Sequence, residues 1–178
     1  MQPMRLPLRL HPDSRCHAVT RLEVELSRPR ADQLTLRFVV LGDIAALRLP
    51  PIAAPRRADD LWKRTCFECF LGARAGGYLE YNFSPSSAWA AYRFSGYRAG
   101  GSNPEIAAPR TELHEAGDRY ELKTRVALPA DIVGPIALTA VIEDRDGLSY
   151  WSLAHPAGKP DFHHADGFVL PLPPPEQS

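Results

Sequence analysis

Proline limits what this chain can build. Eighteen prolines are spread along 178 residues, about twice the usual ~5% share. Each removes a backbone N–H and clashes with a preceding helical turn. Helices are therefore expected to be short and few. Between the prolines, apolar residues recur with a period of two, the signature of strands with one buried face. From Thr20 to Ser27, Leu22, Val24 and Leu26 alternate with Arg21, Glu23 and Glu25. A polar turn, Arg28 to Asp32, leads into a second alternating run, Leu34, Leu36, Phe38 and Val40. Tyr120 to Leu128 repeats the pattern, and so do Leu138, Ala140 and Ile142. The last run enters Asp144-Arg145-Asp146-Gly147, whose Asp-Gly pair predicts a tight turn into Leu148 to Ala154. Several short strands at this spacing predict an all-β, antiparallel sandwich or barrel. Pro50 to Asp60 reads as an irregular surface connection. Gly167 to Leu172 reads as a last strand, ahead of three consecutive prolines that cannot join a sheet. We expect one domain over residues 1–172 and a mobile proline-rich tail over 173–178.

Composition narrows the function. The content is 44% hydrophobic and 24% charged, the balance of a folded domain, and 21 basic residues offset 21 acidic ones. Without a basic block, nucleic acid is not expected as a partner. No run approaches the ~20 apolar residues of a spanning helix, so no membrane partner is expected. Prolines and arginines interrupt the first 15 residues, which lack the apolar stretch of a secretory signal, so a cytoplasmic location is expected. Cys16, Cys66 and Cys69 are an odd set, expected as free thiols.

The most informative stretch is Cys66 to Pro85, CFECFLGARAGGYLEYNFSP. Two strand-like runs flank a loop from Gly72 to Gly77, which predicts a hairpin. Alternation places Phe67, Cys69, Leu71, Leu79, Tyr81 and Phe83 on one apolar face, suited to the core. The other face carries Cys66, Glu68, Phe70, Tyr78, Glu80, Asn82 and Ser84. Register is expected to bring Glu68 opposite Glu80 or Asn82. That face has two readings, a solvated exterior or a ligand site. Saccharides present hydroxyls around an apolar C–H surface, so their sites need carboxylates and amides near aromatic rings. Trp62, Trp89 and Trp151 are candidate rings.

The run DLWKRTCFECFLGARAGGYLEYNFSPSSAWAAYRFSGYR, with the later KPDFHHADGF, resembles the DOMON-like proteins related to family-nine carbohydrate-binding modules, in particular their stand-alone bacterial branch. The resemblance covers most of the chain and is sharpest from Asp59 to Arg98. It implies a β-sandwich of jelly-roll type that binds a sugar or a haem and catalyses nothing. By motif position it implies that Trp62 stacks on a sugar ring and that Glu68 bonds its hydroxyls. Asn82 matches the amide of the following strand, and Trp151 a second ring. Glu80 extends the polar face. Phe67 stands where the sugar-binding modules often have lysine, and those modules are usually secreted.

Other chemistry follows from the same residues. Cys66 and Cys69 lie three apart on a strand and so point to opposite faces, which speaks against thiol exchange or zinc. His155, His163 and His164, with Asp161 and Asp166, are the densest group of potential metal ligands. A haem held by histidine and an interior methionine is disfavoured, since the methionines are Met1 and Met4. A haem redox module using His155 or His164 remains an alternative, although no cofactor is expected. Two further alternatives are a protein-interaction sandwich and a glycoside hydrolase using Glu68 and Glu80 across the strand pair. The favoured function is non-catalytic recognition of a carbohydrate or sugar-containing metabolite.

Overall fold

In a computed structural model that describes residues 2–176, the chain folds into two antiparallel sheets packed face to face. Its strands are β1 (Met4–Pro7), β2 (Arg9–Leu10), β3 (Val19–Arg30), β4 (Gln33–Gly42), β5 (Cys66–Ala73) and β6 (Tyr78–Phe83), then β7 (Trp89–Phe94), β8 (Arg110–Ala116), β9 (Arg119–Ala127), β10 (Ile132–Asp144) and β11 (Gly147–Ser152). One sheet has the order β1-β3-β4-β9-β8, the other β2-β11-β10-β5-β6-β7. The fold is a β-sandwich. Among the described residues the helical content is three single-turn 3-10 segments at Ile44–Ala46, Leu61–Lys63 and Ala165–Gly167, and no helix is long and apolar enough to cross a membrane.

The two-residue period explains the core. Leu22, Val24 and Leu26 of β3 and Leu34, Leu36, Phe38 and Val40 of β4 meet Phe67, Cys69, Leu71, Leu79, Tyr81 and Phe83 of the β5–β6 hairpin. All are essentially inaccessible, and large apolar side chains contribute about 1.5–3 kcal/mol each on such burial. The hairpin turns at Arg74–Gly77, with Gly72 still inside β5. Gly77 has φ +72°, and a Cβ there would sit 2.1 Å from the Phe94 carbonyl oxygen, so no other residue fits without moving β7.

Several elements differ from the sequence expectation. The β3–β4 turn is only Ala31-Asp32, because a register shift between Ser27 and Arg30 carries Pro29 within β3. Segment 167–172 is not a strand: it makes one isolated bridge, Leu170 to Ile136, since Pro171 removes the next donor. Strands β1, β2, β7 and β8 carry too little alternation to stand out. Residues 173–176 run beside β3, where Arg28 Nη1 donates to the Pro173 carbonyl at 3.0 Å and the Glu176 N–H donates to the Arg28 carbonyl at 2.8 Å. The rest of the expected tail, 177 and 178, lies outside the described residues.

The two outer faces are unlike. On the five-stranded sheet, Arg37 donates to Glu25 Oε2 at 2.9 Å and to Glu121 Oε1 at 2.7 Å, within a grid of charged side chains. Partial desolvation raises both carboxyls, but hydrogen bonds from Arg37 and neighbouring arginines outweigh it and hold them below the ordinary range. The outer face of the six-stranded sheet is instead covered in part by loops.

Candidate functional site

The β5–β6 ladder pairs Glu68 with Asn82 and Phe70 with Glu80, and β10 places Thr139 beside Glu68 on the other flank. These side chains therefore share the outer face of the six-stranded sheet. The face is not bare. The turn Leu61–Lys63 lies against β5 and β6, and segments 95–109 and 153–169 contribute the opposite side. They leave an open cleft of about 630 Å³. Strand residues Phe70, Glu80, Tyr92, Val141 and Tyr150 form its floor, and Trp62, Arg98, Lys159, Phe162 and His163 come from the surrounding loops.

Trp62 is presented by a tight local turn. Asp60 adopts left-handed backbone (φ 61°), its carbonyl accepts from the Lys63 N–H at 3.1 Å, and its carboxylate pairs with Lys63 Nζ at 3.2 Å. The lysine ammonium sits 5.6 Å from the indole centroid. Trp62 is left 47% exposed at the mouth of the cleft.

The opposite wall is docked by polar bonds and rings. Tyr78 Oη lies 2.6 Å from His163 Nδ1 and accepts from the Arg98 N–H at 3.3 Å. Asp161 Oδ1 accepts from Arg98 Nη2 at 2.9 Å and from the His163 N–H at 3.1 Å, and its other oxygen accepts from the Tyr97 hydroxyl. Phe70 contacts His163 and Phe168 edge-on at 5.1 and 5.9 Å, and Tyr78 stacks on Phe94 at 5.0 Å. This second apolar cluster fixes segment 153–169 over the sheet.

Under the cleft lies a carboxyl pair. Hydrogen bonding sets the orientation of the Asn82 amide: its nitrogen is 3.0 Å from Glu68 Oε1, 3.0 Å from Glu80 Oε1 and 3.1 Å from the Tyr81 carbonyl. Thr139 Oγ1 donates to Glu68 Oε2 at 3.2 Å. Both carboxyls are almost wholly buried. Desolvation, and then the charge of Glu80, push Glu68 well above the carboxylate range. Desolvation raises Glu80 to about 7, although the Asn82 bond and the charge of Arg98 pull it down. His163 is lowered to about 4, chiefly by desolvation and then by Arg98, so its ring is neutral near pH 7. With Nδ1 accepting from Tyr78, its Nε2–H faces Glu80 Oε2 at 3.8 Å.

The structure sorts the sequence candidates. Trp62 and Glu80 line the cleft. Glu68 and Asn82 are adjacent as the ladder predicts, but at 2% and 0% exposure they do not line the open space, and the Asn82 amide bonds both Glu68 and Glu80. Trp151 is corrected outright. It pairs with Ala140 on the core side of β10, belongs to the inter-sheet core, and donates from Nε1 to Ser149 Oγ at 3.0 Å. Its neighbour Tyr150 points the other way and supplies a ring to the cleft. Trp89 is likewise core, with the Arg57 guanidinium 5.2 Å from its ring. The histidines separate. His155 Nε2 contacts the Arg9 carbonyl at 2.8 Å, His164 Nδ1 accepts from the Asp166 N–H at 3.1 Å, and His163 is held by Tyr78. Among the described residues no three His, Cys, Asp or Glu side chains converge as metal ligands. Cys66 and Cys69 point to opposite faces as read, and all three thiols are free.

Sequence reasoning missed Tyr92, Arg98, Tyr150, Lys159 and Phe162. The β11 ladder marks Tyr150 once its register is known. The loop residues follow no period that a linear reading can detect.

Fold and cleft together define a β-sandwich with an aromatic, acid-floored recess on one outer face. Its architecture is similar to that of a candidate carbohydrate-binding protein from Bacteroides uniformis, with a TM-score of 0.64 and 13% identity over 93% of this chain and 84% of that one. It is also similar to a family 9 carbohydrate-binding module from Caldicellulosiruptor kristjanssonii, in complex with cellotriose, with a TM-score of 0.52 and 14% identity over 88% and 75% of the two chains. At such identities the likeness establishes the fold. No family model matches the chain, and no curated protein matches it significantly in sequence.

Proposed function

We propose that the cleft on the six-stranded sheet binds a saccharide and does no chemistry on it. The observation that carries this reading is the pairing of Trp62, a half-exposed indole at the mouth, with Glu80, a buried carboxyl at the floor. A sugar ring presents an apolar C–H face to an indole and hydroxyls at its edges to a carboxyl and an imidazole N–H. Trp62 would stack, and Glu80 with His163 would bond hydroxyls. Asn82, itself tied through Glu68 to Thr139, would fix Glu80. The sandwich shared with a sugar-complexed module supports the reading at the level of architecture. The kinship to DOMON-like proteins belongs to the same proposal.

Binding is favoured over hydrolysis because only one carboxyl of the pair, Glu80, lines the open space. A retaining or inverting glycosidase needs two carboxyls flanking the scissile bond. Calorimetric titration with a panel of neutral mono- and oligosaccharides tests the proposal. We expect binding that falls at least tenfold in Trp62→Ala and in Glu80→Gln, with no hydrolysis of aryl glycosides. Equal binding in both folded variants would reject this site, and release of aglycone abolished by Glu80→Gln would make the protein an enzyme.

A further inference from the structure

Glu80 lacks a cation. Its side chain is 6% exposed yet borders the cleft, and among the described residues no lysine or arginine comes within ion-pair distance of it. The nearest basic group, His163 at 3.8 Å, is neutral near pH 7. Arg98 is paired with Asp161 at 2.9 Å, and Lys159 stands exposed at the rim. Glu68, a diagonal neighbour on the same sheet face, also has no cationic partner and bonds only neutral groups, Asn82 and Thr139. Outside the cleft lining, Asp59 Oδ1 accepts from the Tyr92 hydroxyl at 2.6 Å.

Aromatic rings surround this unmatched acid. Phe70, Tyr92, Phe94, Tyr150, Phe162 and Trp62 all line the same space. Such rings attract an organic cation through their negative faces, an effect that grows when water is excluded. They gain no comparable advantage from an anion or from an additional neutral hydroxyl. A buried acid within aromatic walls is thus complementary to positive charge brought in by a ligand.

We infer that the saccharide selected here carries a protonated amine, so that the ligand is an amino sugar whose ammonium pairs with Glu80. The inference rests on the saccharide reading above and names the ligand class for that cleft. Proton linkage gives it a signature. Burial raises Glu80 to about 7, and an ammonium beside it favours the ionised carboxylate, so binding expels a proton. The charged and titratable groups facing Glu80 or its cleft are Glu68 and Cys66 from β5, Tyr78 from its own strand, Tyr92 from β7, Arg98, His163, and Lys159 at the rim. Burial holds the Cys66, Tyr78 and Tyr92 protons in place, leaving the Glu68–Glu80 pair to release one.

Calorimetry with D-glucosamine, N-acetyl-D-glucosamine, D-glucose and choline, at about pH 6.5 in two buffers of different ionisation enthalpy, tests the inference. We expect D-glucosamine to bind about tenfold or more tighter than the two neutral sugars. Its heat should depend on the buffer, reporting release of a substantial fraction of a proton, whereas the neutral sugars show none. Glu80→Gln, confirmed as folded by its melting transition, should reduce the preference for D-glucosamine to about twofold or less. Glucose bound as tightly as glucosamine, without proton release, would overturn the inference and leave the saccharide reading standing. Choline bound while every sugar fails would uphold the ammonium site and overturn the saccharide reading. Failure of all four probes would overturn both.

Discussion

Asn82 faces Glu68 directly across the β5–β6 ladder, and its amide nitrogen lies 3.0 Å from Glu68 Oε1. The same nitrogen reaches Glu80 Oε1 at 3.0 Å, so one neutral amide holds two buried carboxyls. Replacing it by the similarly sized Asn82→Leu strips a donor from both. Each deprived buried group costs about 1–3 kcal/mol. We expect a loss of several kcal/mol in denaturant unfolding, larger at pH 8 than at pH 5 because ionised carboxylates need the donor more. A loss independent of pH would indicate that the amide serves packing alone.

Glu80 and His163 give stability opposite pH dependences. Glu80 is raised from 4.5 to about 7, so folding favours its protonated form. Its contribution is complete below about pH 4.5 and disappears as pH rises through 7. His163 is lowered from 6.5 to about 4, so its contribution is complete above about pH 6.5 and disappears as pH falls towards 4. Glu80→Gln removes the first dependence, together with the part of the Glu68 shift that the Glu80 charge causes, and leaves that of His163. Relative to the parent protein, the variant should gain on the order of 3 kcal/mol between pH 5 and pH 8. Parallel stability curves would show that Glu80 ionises freely in the fold.

Tyr78 fastens the cleft wall through its hydroxyl, which meets both His163 Nδ1 and the Arg98 N–H. Tyr78→Phe keeps the ring contacts with Phe94 and Phe168 and deletes only those bonds. Amide exchange should accelerate over residues 160–166 and at Arg98, with a global cost of about 1–2 kcal/mol. Unchanged protection in that segment would mean that the aromatic cluster alone holds it.

Trp62 and Trp151 should separate function from folding. Trp151→Ala opens a cavity between the sheets and should cost about 3–5 kcal/mol. Trp62→Ala removes a half-exposed ring and should move stability by under about 1 kcal/mol while removing ligand binding. Exchange of these two phenotypes would invert the assignment of the faces.

The contrast between these tryptophans shows where linear reading succeeds. The hairpin alternates cleanly, so Phe67, Cys69, Leu71, Leu79, Tyr81 and Phe83 were legible as core and Glu68, Glu80 and Asn82 as their counter-face. Strand β11 reads Ser149-Tyr150-Trp151-Ser152, two adjacent rings between two hydroxyls, and the period does not say which ring faces inward. The ladder decides it by pairing Ala140 with Trp151 and Ile142 with Ser149. Depth is the second limit. Alternation assigns Glu68 and Glu80 to one face, but only the covering turn Leu61–Lys63 and segment 153–169 determine that Glu80 meets the cleft while Glu68 is covered. Arg98, Lys159 and Phe162 sit in irregular backbone, where contacts between loops far apart in sequence set their positions.

Tryptophan emission offers the most direct check on the central claim, since Trp62 lines the cleft whereas Trp89 and Trp151 are sealed in the core. Titration with a panel of neutral and amino sugars should produce a saturable blue shift in the parent protein that vanishes in Trp62→Phe and persists in Trp151→Phe. No spectral change with any sugar, or a shift that survives in Trp62→Phe, would contradict a saccharide site in this cleft.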